Sequence, residues 1–354
     1  MFNRFLLLSL LLYIIIGGLC FAQDKNAKID QLVTAYIDSG DIHGVVLVAE
    51  KGEIIYTRAN GLANIEWDIP NTIDTRFRIY SMSKQFTALL IMQLVEAGRI
   101  DLQKPITEYL PWYRSDVGSK VTVHHLLTHT HGIVEGYDRL PLFLIPDPTR
   151  QLVEKYFSNP LDFEPGSDFR YSGLLGYTVL GAIIEAVTGQ PYHIVLKYNI
   201  LDPLGMNQST YLDYHQLILQ RASDYFVTER GIEHRIQAYP LNADGASCLV
   251  STVKDLLIWD QALYGEKLLI TKYRNLLFTP HVTKFKPYYY GYGWYLADIE
   301  MNGKIKRIHY HTGGGTSIIF RSVEDQRTVI MLNNFRSNNL YQIGLALLEQ
   351  LGKN

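Results

Sequence analysis

Ser81 and Lys84 stand three positions apart in Ser81-Met82-Ser83-Lys84, immediately ahead of the strongest helical pattern in the chain. In the first turn of a helix such a pair shares one face, about a turn apart. A serine hydroxyl is a poor nucleophile until a neighbouring base takes its proton, and a lysine can be that base when burial or a second cation destabilises its ammonium. The helix N-terminus would add backbone N–H groups aimed at the place where an oxyanion forms. The pattern alone is not specific: 16 serines and 16 lysines among 354 residues give about 0.7 matches by chance, and a second match occurs at Ser251-Thr252-Val253-Lys254. There, Ser251 or Thr252 followed by Asp255 and an apolar run is the signature of a helix cap. Four histidines within eight residues, His124, His125, His129 and His131, raise a zinc reading, since His125 and His129 could share a helix face. No carboxylate or cysteine stands at ligand spacing beside them, so no metal is expected. Cys248 lies between Ser247 and Leu249 in an apolar stretch and reads as a buried structural thiol.

The elements that must hold these groups divide by position along the chain. Val45 to Ala49 and Ile54 to Thr57 are β-branched runs separated by Glu50, Lys51 and Gly52, which predicts a hairpin. Ile29, Leu32, Val33, Tyr36 and Ile37 predict an amphipathic helix ahead of it. Toward the other end, Tyr288–Leu296, Lys304–Tyr310, Thr316–Phe320 and Thr328–Leu332 read as strands and Leu340–Leu351 as a closing helix. Helical patterns dominate the middle: Phe86 to Ala97 stopped by Gly98, and Leu174 to Val187 stopped by Gly189. The economical architecture is α+β: an antiparallel sheet from residues 23–75 and 281–354, flanked by N- and C-terminal helices, with a mostly helical region over 76–280. A site is expected where the two regions meet. Pro141, Pro146 and Pro148 mark a loop, Asp244-Gly245-Ala246-Ser247 reads as a turn, and the aromatic run from Tyr288 to Tyr295 as strand packing with one or two rings at the cleft.

Composition sets the class. With 47% hydrophobic residues the chain is not disordered, with two cysteines it is not a disulfide scaffold, and a net charge of -2 gives no electrostatic reason to bind nucleic acid. Arg4 followed by the apolar run Phe5–Ile16 and the small residue Ala22 predicts a signal peptide over 1–22, cleaved after Ala22, and a periplasmic or secreted protein. Cleavage removes Cys20 and leaves Cys248 alone, so no internal disulfide forms. An uncleaved anchor over Phe5–Ala22, or lipidation of Cys20, is the alternative, and only then is a membrane a partner.

The register around the first motif continues through Val95-Glu96-Ala97-Gly98-Arg99-Ile100-Asp101-Leu102 to Tyr109-Leu110-Pro111. It resembles the class C β-lactamase-like serine hydrolases, a family that includes penicillin-binding DD-peptidases, esterases and D-amino-acid-specific peptidases. Leu126-Leu127-Thr128-His129-Thr130-His131-Gly132-Ile133 is similar to a family signature that carries serine where His131 stands. Phe169-Arg170-Tyr171-Ser172-Gly173 resembles the Tyr-x-Asn segment, and Gly291-Tyr292-Gly293-Trp294 with His311-Thr312-Gly313-Gly314 resembles the strand pair bearing the third motif. Four ordered segments from the first hairpin to the last helix carry the likeness, and they account for the histidine-rich segment without metal.

The resemblance implies the β-lactamase/transpeptidase-like fold, no cofactor, and a small-molecule or peptide substrate with a reactive carbonyl. It implies Ser81 as nucleophile, Lys84 as its proton partner and Tyr171 as a second general base. It places His311 where lactamases have lysine, Thr312 and Gly313 at the substrate, and the N–H groups of Ser81 and Gly314 in the oxyanion hole. A tyrosine serves as base near neutral pH only if a cation such as Lys84 favours its phenolate or shares its proton. Two departures weaken the case for β-lactams: Gly173 replaces the motif's Asn, and His311 replaces a permanent cation with one expected to titrate near neutrality. The expected function is an exported serine hydrolase cleaving an ester or amide bond through a Ser81 acyl-enzyme. A true β-lactamase or DD-carboxypeptidase is the alternative, and a non-hydrolysing penicillin-recognising sensor is the rival of another class.

Overall fold

Alternation along Gly44–Glu50 decides how the sheet is used: Val45, Leu47 and Ala49 join one apolar core while Val46 and Val48 join another. Side chains leave a strand on alternate faces, so a strand apolar at every position must be covered on both sides. The structure is a computed structural model that describes residues 25–136, 149–213, 216–235 and 245–353. The expected signal peptide, the three prolines of the central loop and Asp244 lie outside the described residues.

Helix α1 (25–38) leads into β1 (Gly44–Glu50) and β2 (Glu53–Ala59), the hairpin expected from the sequence. Its two-residue turn places Lys51 at φ 53° and Gly52 at φ 81°, the left-handed pair that matches strand twist. Late in the chain follow β3 (Val282–Phe285), β4 (Tyr288–Tyr290), β5 (Tyr295–Met301), β6 (Lys304–Gly313), β7 (Ser317–Ser322) and β8 (Arg327–Asn333). Together they form one antiparallel sheet in the order β3-β4-β5-β6-β7-β8-β1-β2, so the N-terminal hairpin pairs with the last strand. The expected continuous strand over Tyr288–Leu296 is instead two strands. Gly291 donates to the Trp294 carbonyl at 2.9 Å and Gly293 sits at φ 75°, reversing the chain so that Tyr290 faces Tyr295.

One face of the sheet is covered by α1 and the closing helix, Leu340–Leu351, whose Ile343, Leu347 and Leu351 meet Val46, Val329 and Met331. The other face meets the region between the strands. Its helices include α2 (Ser83–Glu96), α3 (Val123–Leu127), α4 (Leu175–Thr188) and α5 (Val253–Ala262). Three small sheets also lie there: Leu62–Asn64 pairs with Ile69–Pro70, Phe77–Arg78 and Thr210–Tyr211 flank Leu249–Ser251, and Tyr225–Thr228 pairs with Gly231–His234. Helix α2 is buried at every residue from Ser83 to Met92 and packs on α4 and on the helix Thr271–Leu277. Phe86 stacks on Trp259 of α5 at 4.1 Å, and Trp259 donates to Gln85 at 2.9 Å, which fixes the rotation of α2 about its axis. A buried ion pair, Arg321 with Asp260, joins β7 to α5, and Thr328 donates to the same carboxylate at 2.7 Å. Thr252 accepts from the Asp255 N–H at 3.2 Å, so the second Ser-x-x-Lys match is a helix cap.

Candidate active site

Tyr80–Met82 form a short turn of 3-10 helix that runs directly into α2, which puts Ser81 at the mouth of the helix and Lys84 one turn inside. Ser81 is half-buried, whereas Lys84 is fully buried. The Lys84 amine lies 3.0 Å from Ser81 Oγ and donates to two backbone carbonyls, Gly173 at 2.6 Å and Ala246 at 3.1 Å. Burial pushes Lys84 down from 10.5 to about 7, against an upward pull from the Glu135 carboxylate and from Cys248. A neutral amine has two N–H bonds and one lone pair. The two carbonyls use the N–H bonds, and the lone pair is left for the Ser81 proton.

Ser81 stands close enough to the Tyr171 hydroxyl to shift its pKa. Burial raises the pKa of its hydroxyl, the contact with Ser81 pulls it down, and Glu135 raises it further. The Lys84 amine is 5.5 Å from the Tyr171 ring centre. Burial thus favours the neutral Tyr171 hydroxyl, which leaves proton sharing rather than a phenolate as the way it could act as a base, and the group poised near neutrality is Lys84.

His311, on β6, is 1% exposed, and burial reinforced by the Lys84 charge pushes it down to about 3. The expected titration near neutral pH is thus also corrected, because desolvation disfavours the imidazolium. Its Nδ1 lies 2.7 Å from the Thr312 carbonyl and so carries the proton, leaving Nε2 to accept from the Tyr290 hydroxyl at 3.4 Å. Tyr290 lies 3.1 Å from His129 Nε2, and His129 Nδ1 accepts from the Ser172 N–H at 3.0 Å. One directed chain results: Ser172 N–H to His129, His129 to Tyr290, Tyr290 to His311, His311 to the Thr312 carbonyl. Tyr290 is fully buried. In the sequence it was one ring in an aromatic run, with nothing to single it out.

The four histidines do not converge. Helix α3 ends at Leu127 and His129 takes φ 58°, so His125 and His129 do not share a helix face. His124 meets Tyr292 at 2.8 Å, His125 closes a capping box with Thr122, and His131 accepts from the Ile133 N–H at 3.0 Å. Among the described residues no group of three or more His, Cys, Asp or Glu could hold a metal ion. Cys248 is buried, as its setting implies.

Gly314 follows β6 at φ 59° and lies against the Tyr80 ring beside Ser81. Gly313 is buried, and a Cβ there would sit 2.0 Å from the Ile79 carbonyl, so its bare Cα lets β6 close on the strand leading to Ser81. Thr312 is half-buried. Sequence reasoning missed Ala246 and the Gly173 carbonyl. The expected turn at Gly245-Ala246 is a wall of the site, with the Gly245 carbonyl accepting from Thr87 at 2.6 Å. Gly173 lacks the motif's amide, and its own backbone carbonyl holds the lysine instead.

Comparison with known proteins places the chain in a family. A family model described as Beta-lactamase matches residues 29–351. The chain is 40% identical over 185 residues to the esterase EstB of Burkholderia gladioli, covering 47% of this chain and about half of the esterase, 46%. It is 26% identical over 319 residues to the teichoic acid D-alanine hydrolase of Staphylococcus aureus, 90% of this chain and 76% of that one. Among solved structures, a penicillin-binding protein from Bacillus halodurans superposes with a TM-score of 0.79 at 29% identity, covering 90% of this chain and 98% of its own.

Proposed function

Since this chain belongs to the Beta-lactamase family and is a serine hydrolase of it, we propose that it cleaves an ester or amide bond through an acyl-enzyme on Ser81. The observation that carries the reading is the Lys84 amine. It is buried, held by two carbonyls, 3.0 Å from Ser81 Oγ and near 7 in pKa, so a large fraction is a free base at neutral pH.

Lys84 takes the Ser81 proton as Oγ attacks the carbonyl carbon. The tetrahedral oxyanion is met by the N–H groups of Ser81 and Gly314, at the start of α2 and the end of β6. The C–O or C–N bond then breaks, and the leaving group takes a proton through the Tyr171 hydroxyl, restored from the Lys84 ammonium. Water attacks the acyl-enzyme by the same route in reverse and releases the acid.

An ester or amide is favoured over a β-lactam because His311 is uncharged above about pH 3 and offers no cation to a substrate carboxylate. The names of the relatives, an esterase and a D-alanine hydrolase, support the same class. A fluorophosphonate probe should label the wild type and not Ser81→Ala, and a panel of p-nitrophenyl esters, D-amino-acid amides and nitrocefin should rank nitrocefin last. An unlabelled wild type would sink the enzyme reading, and fast nitrocefin turnover the substrate ranking. Loss of the label with time separates turnover from permanent acylation. An exported location is part of the proposal, on the apolar run at Phe5–Ile16. Intact-mass measurement of the purified extracellular or periplasmic protein should give an N-terminus at Gln23.

A further inference from the structure

Tyr80 stands between the two proposed oxyanion donors, and the chemistry above does not use it. It immediately precedes Ser81, is 6% exposed, and takes φ 47°, a left-handed conformation that a bulky residue keeps only where its surroundings hold it. Its ring lies flat against Gly314: a Cβ there would be 2.8 Å from Tyr80 Cγ and 3.0 Å from each Cδ. Two guanidinium groups, Arg78 at 4.4 Å and Arg235 at 4.7 Å, stand over the ring. The Tyr80 hydroxyl donates to Asp224 at 2.9 Å. Arg235 donates through Nη1 to the Gly314 carbonyl at 3.1 Å and through its N–H to the Asp224 carbonyl at 2.8 Å. Arg78 reaches the Ser247 carbonyl at 3.2 Å, beside the Ala246 carbonyl that holds Lys84. One aromatic plate therefore touches the Gly314 turn and is continuous in chain with the nucleophile, and three charged side chains clamp it.

We propose that Tyr80 is a positioning residue of the oxyanion hole: its ring, fixed by Arg78, Arg235 and Asp224, sets the separation between the Ser81 and Gly314 N–H groups. The idea rests on the reading that those two groups meet the oxyanion. A hole works only when its donors already stand where the charge will develop, so a loosened spacing lowers kcat rather than substrate affinity.

The test uses the full chain, p-nitrophenyl butyrate, a fluorophosphonate label, and phenylboronic acid as a tetrahedral mimic. Glycine adopts φ 47° without strain, so Tyr80→Gly removes the plate and leaves the backbone free to stay in place. Its kcat should fall about 30-fold with KM within about twofold, and boronate inhibition should weaken in parallel. Tyr80→Phe keeps the ring and should recover kcat to within about fivefold of wild type. Arg235→Gln, which loosens the clamp from a half-buried position, should lower kcat about fivefold and weaken the boronate likewise. A folded Tyr80→Gly with kcat within about threefold of wild type overturns the proposal, as does a loss of kcat with unchanged boronate affinity. If Tyr80→Gly does not fold, an Arg235→Gln enzyme with wild-type kcat and boronate inhibition overturns it. Wild type labelled at Ser81 beside an unimpaired Tyr80→Gly refutes this proposal alone, whereas a wild type that resists both labelling and hydrolysis refutes the proposed function first.

Discussion

Lowering the pH should switch the enzyme off through Lys84 and through no other group of the site. An ordinary lysine at 10.5 would be neutral in about 0.3% of molecules at pH 8, whereas one at about 7 is neutral in about 90%. Burial thus raises the supply of competent base roughly 300-fold. Below the pKa the neutral fraction falls tenfold per pH unit, so kcat/KM should drop about 90-fold between pH 8 and pH 5, with a limb of unit slope centred near 7. The assay is p-nitrophenyl ester hydrolysis followed at the isosbestic wavelength of the released phenol, because its own titration falls in the same range. His311→Gln should leave the limb where it is, since His311 holds no proton to lose above about pH 3. Glu135→Gln should move it to lower pH, because the Glu135 carboxylate raises Lys84. A limb below about pH 5.5, or one that shifts in His311→Gln, would refute the assignment of Lys84 as the base.

Four further outcomes follow from other contacts. The folded-state pKa of Lys84 lies below its unfolded value, so the unfolded chain binds more protons between about 7 and 10.5, and wild-type stability gains with rising pH across that window; the Tm of Lys84→Met minus that of wild type should therefore shrink from pH 6 to pH 10. Gly314→Ala puts a Cβ 2.8 Å from the Tyr80 ring at a left-handed φ and should cost about 100-fold in kcat, the scale of one lost oxyanion donor, in steady-state kinetics. Asp260→Ala strands the Arg321 guanidinium in the core and should destabilise by about 3–5 kcal/mol in denaturant titration. Tyr290→Phe breaks the chain between His129 and His311 at its middle and should lower kcat/KM by about fivefold, with Tm lowered by the cost of two buried hydrogen bonds.

The parts of the site that sequence made legible are those that chemistry and spacing bring close along the chain. Ser81 and Lys84 are one helical turn apart, so residue type and periodicity sufficed, and the failed match at Ser251 was recognisable from the cap around it. The sheet was legible from both termini because β1, β7 and β8 carry apolar β-branched runs, and the stop glycines bounded α2 and α4. Tyr171 and His311 entered through family resemblance, since no local rule links position 171 or 311 to position 81. The two groups that hold the lysine were not legible at all. Both are backbone carbonyls, Gly173 and Ala246, and a carbonyl leaves no trace in residue identity. Nor was the break at Gly291-Tyr292-Gly293, where period-2 aromatics continued across a reversal that only the glycine backbone permits.

Protonation states were the least legible feature, and they bear most directly on specificity. Histidine and tyrosine carry reference pKa values that suggest a titrating His311 and a base at Tyr171, but full burial moves the one down and the other up, so both stay neutral through the working range. In the proposed mechanism the remaining charge swing at the nucleophile is the proton Lys84 gains as Ser81 attacks. An acyl donor therefore meets a site whose His311 is neutral and whose Lys84 amine is largely neutral, and in which the cation appears together with the oxyanion. Such a site offers little to a ground-state carboxylate and much to a developing tetrahedral anion, so its binding energy is expressed in kcat rather than in KM. The carbonyl clamp on Lys84 makes this possible: a charged lysine could satisfy three acceptors, but at about neutral pH two carbonyls and one hydroxyl match the free amine as well as they match the ammonium.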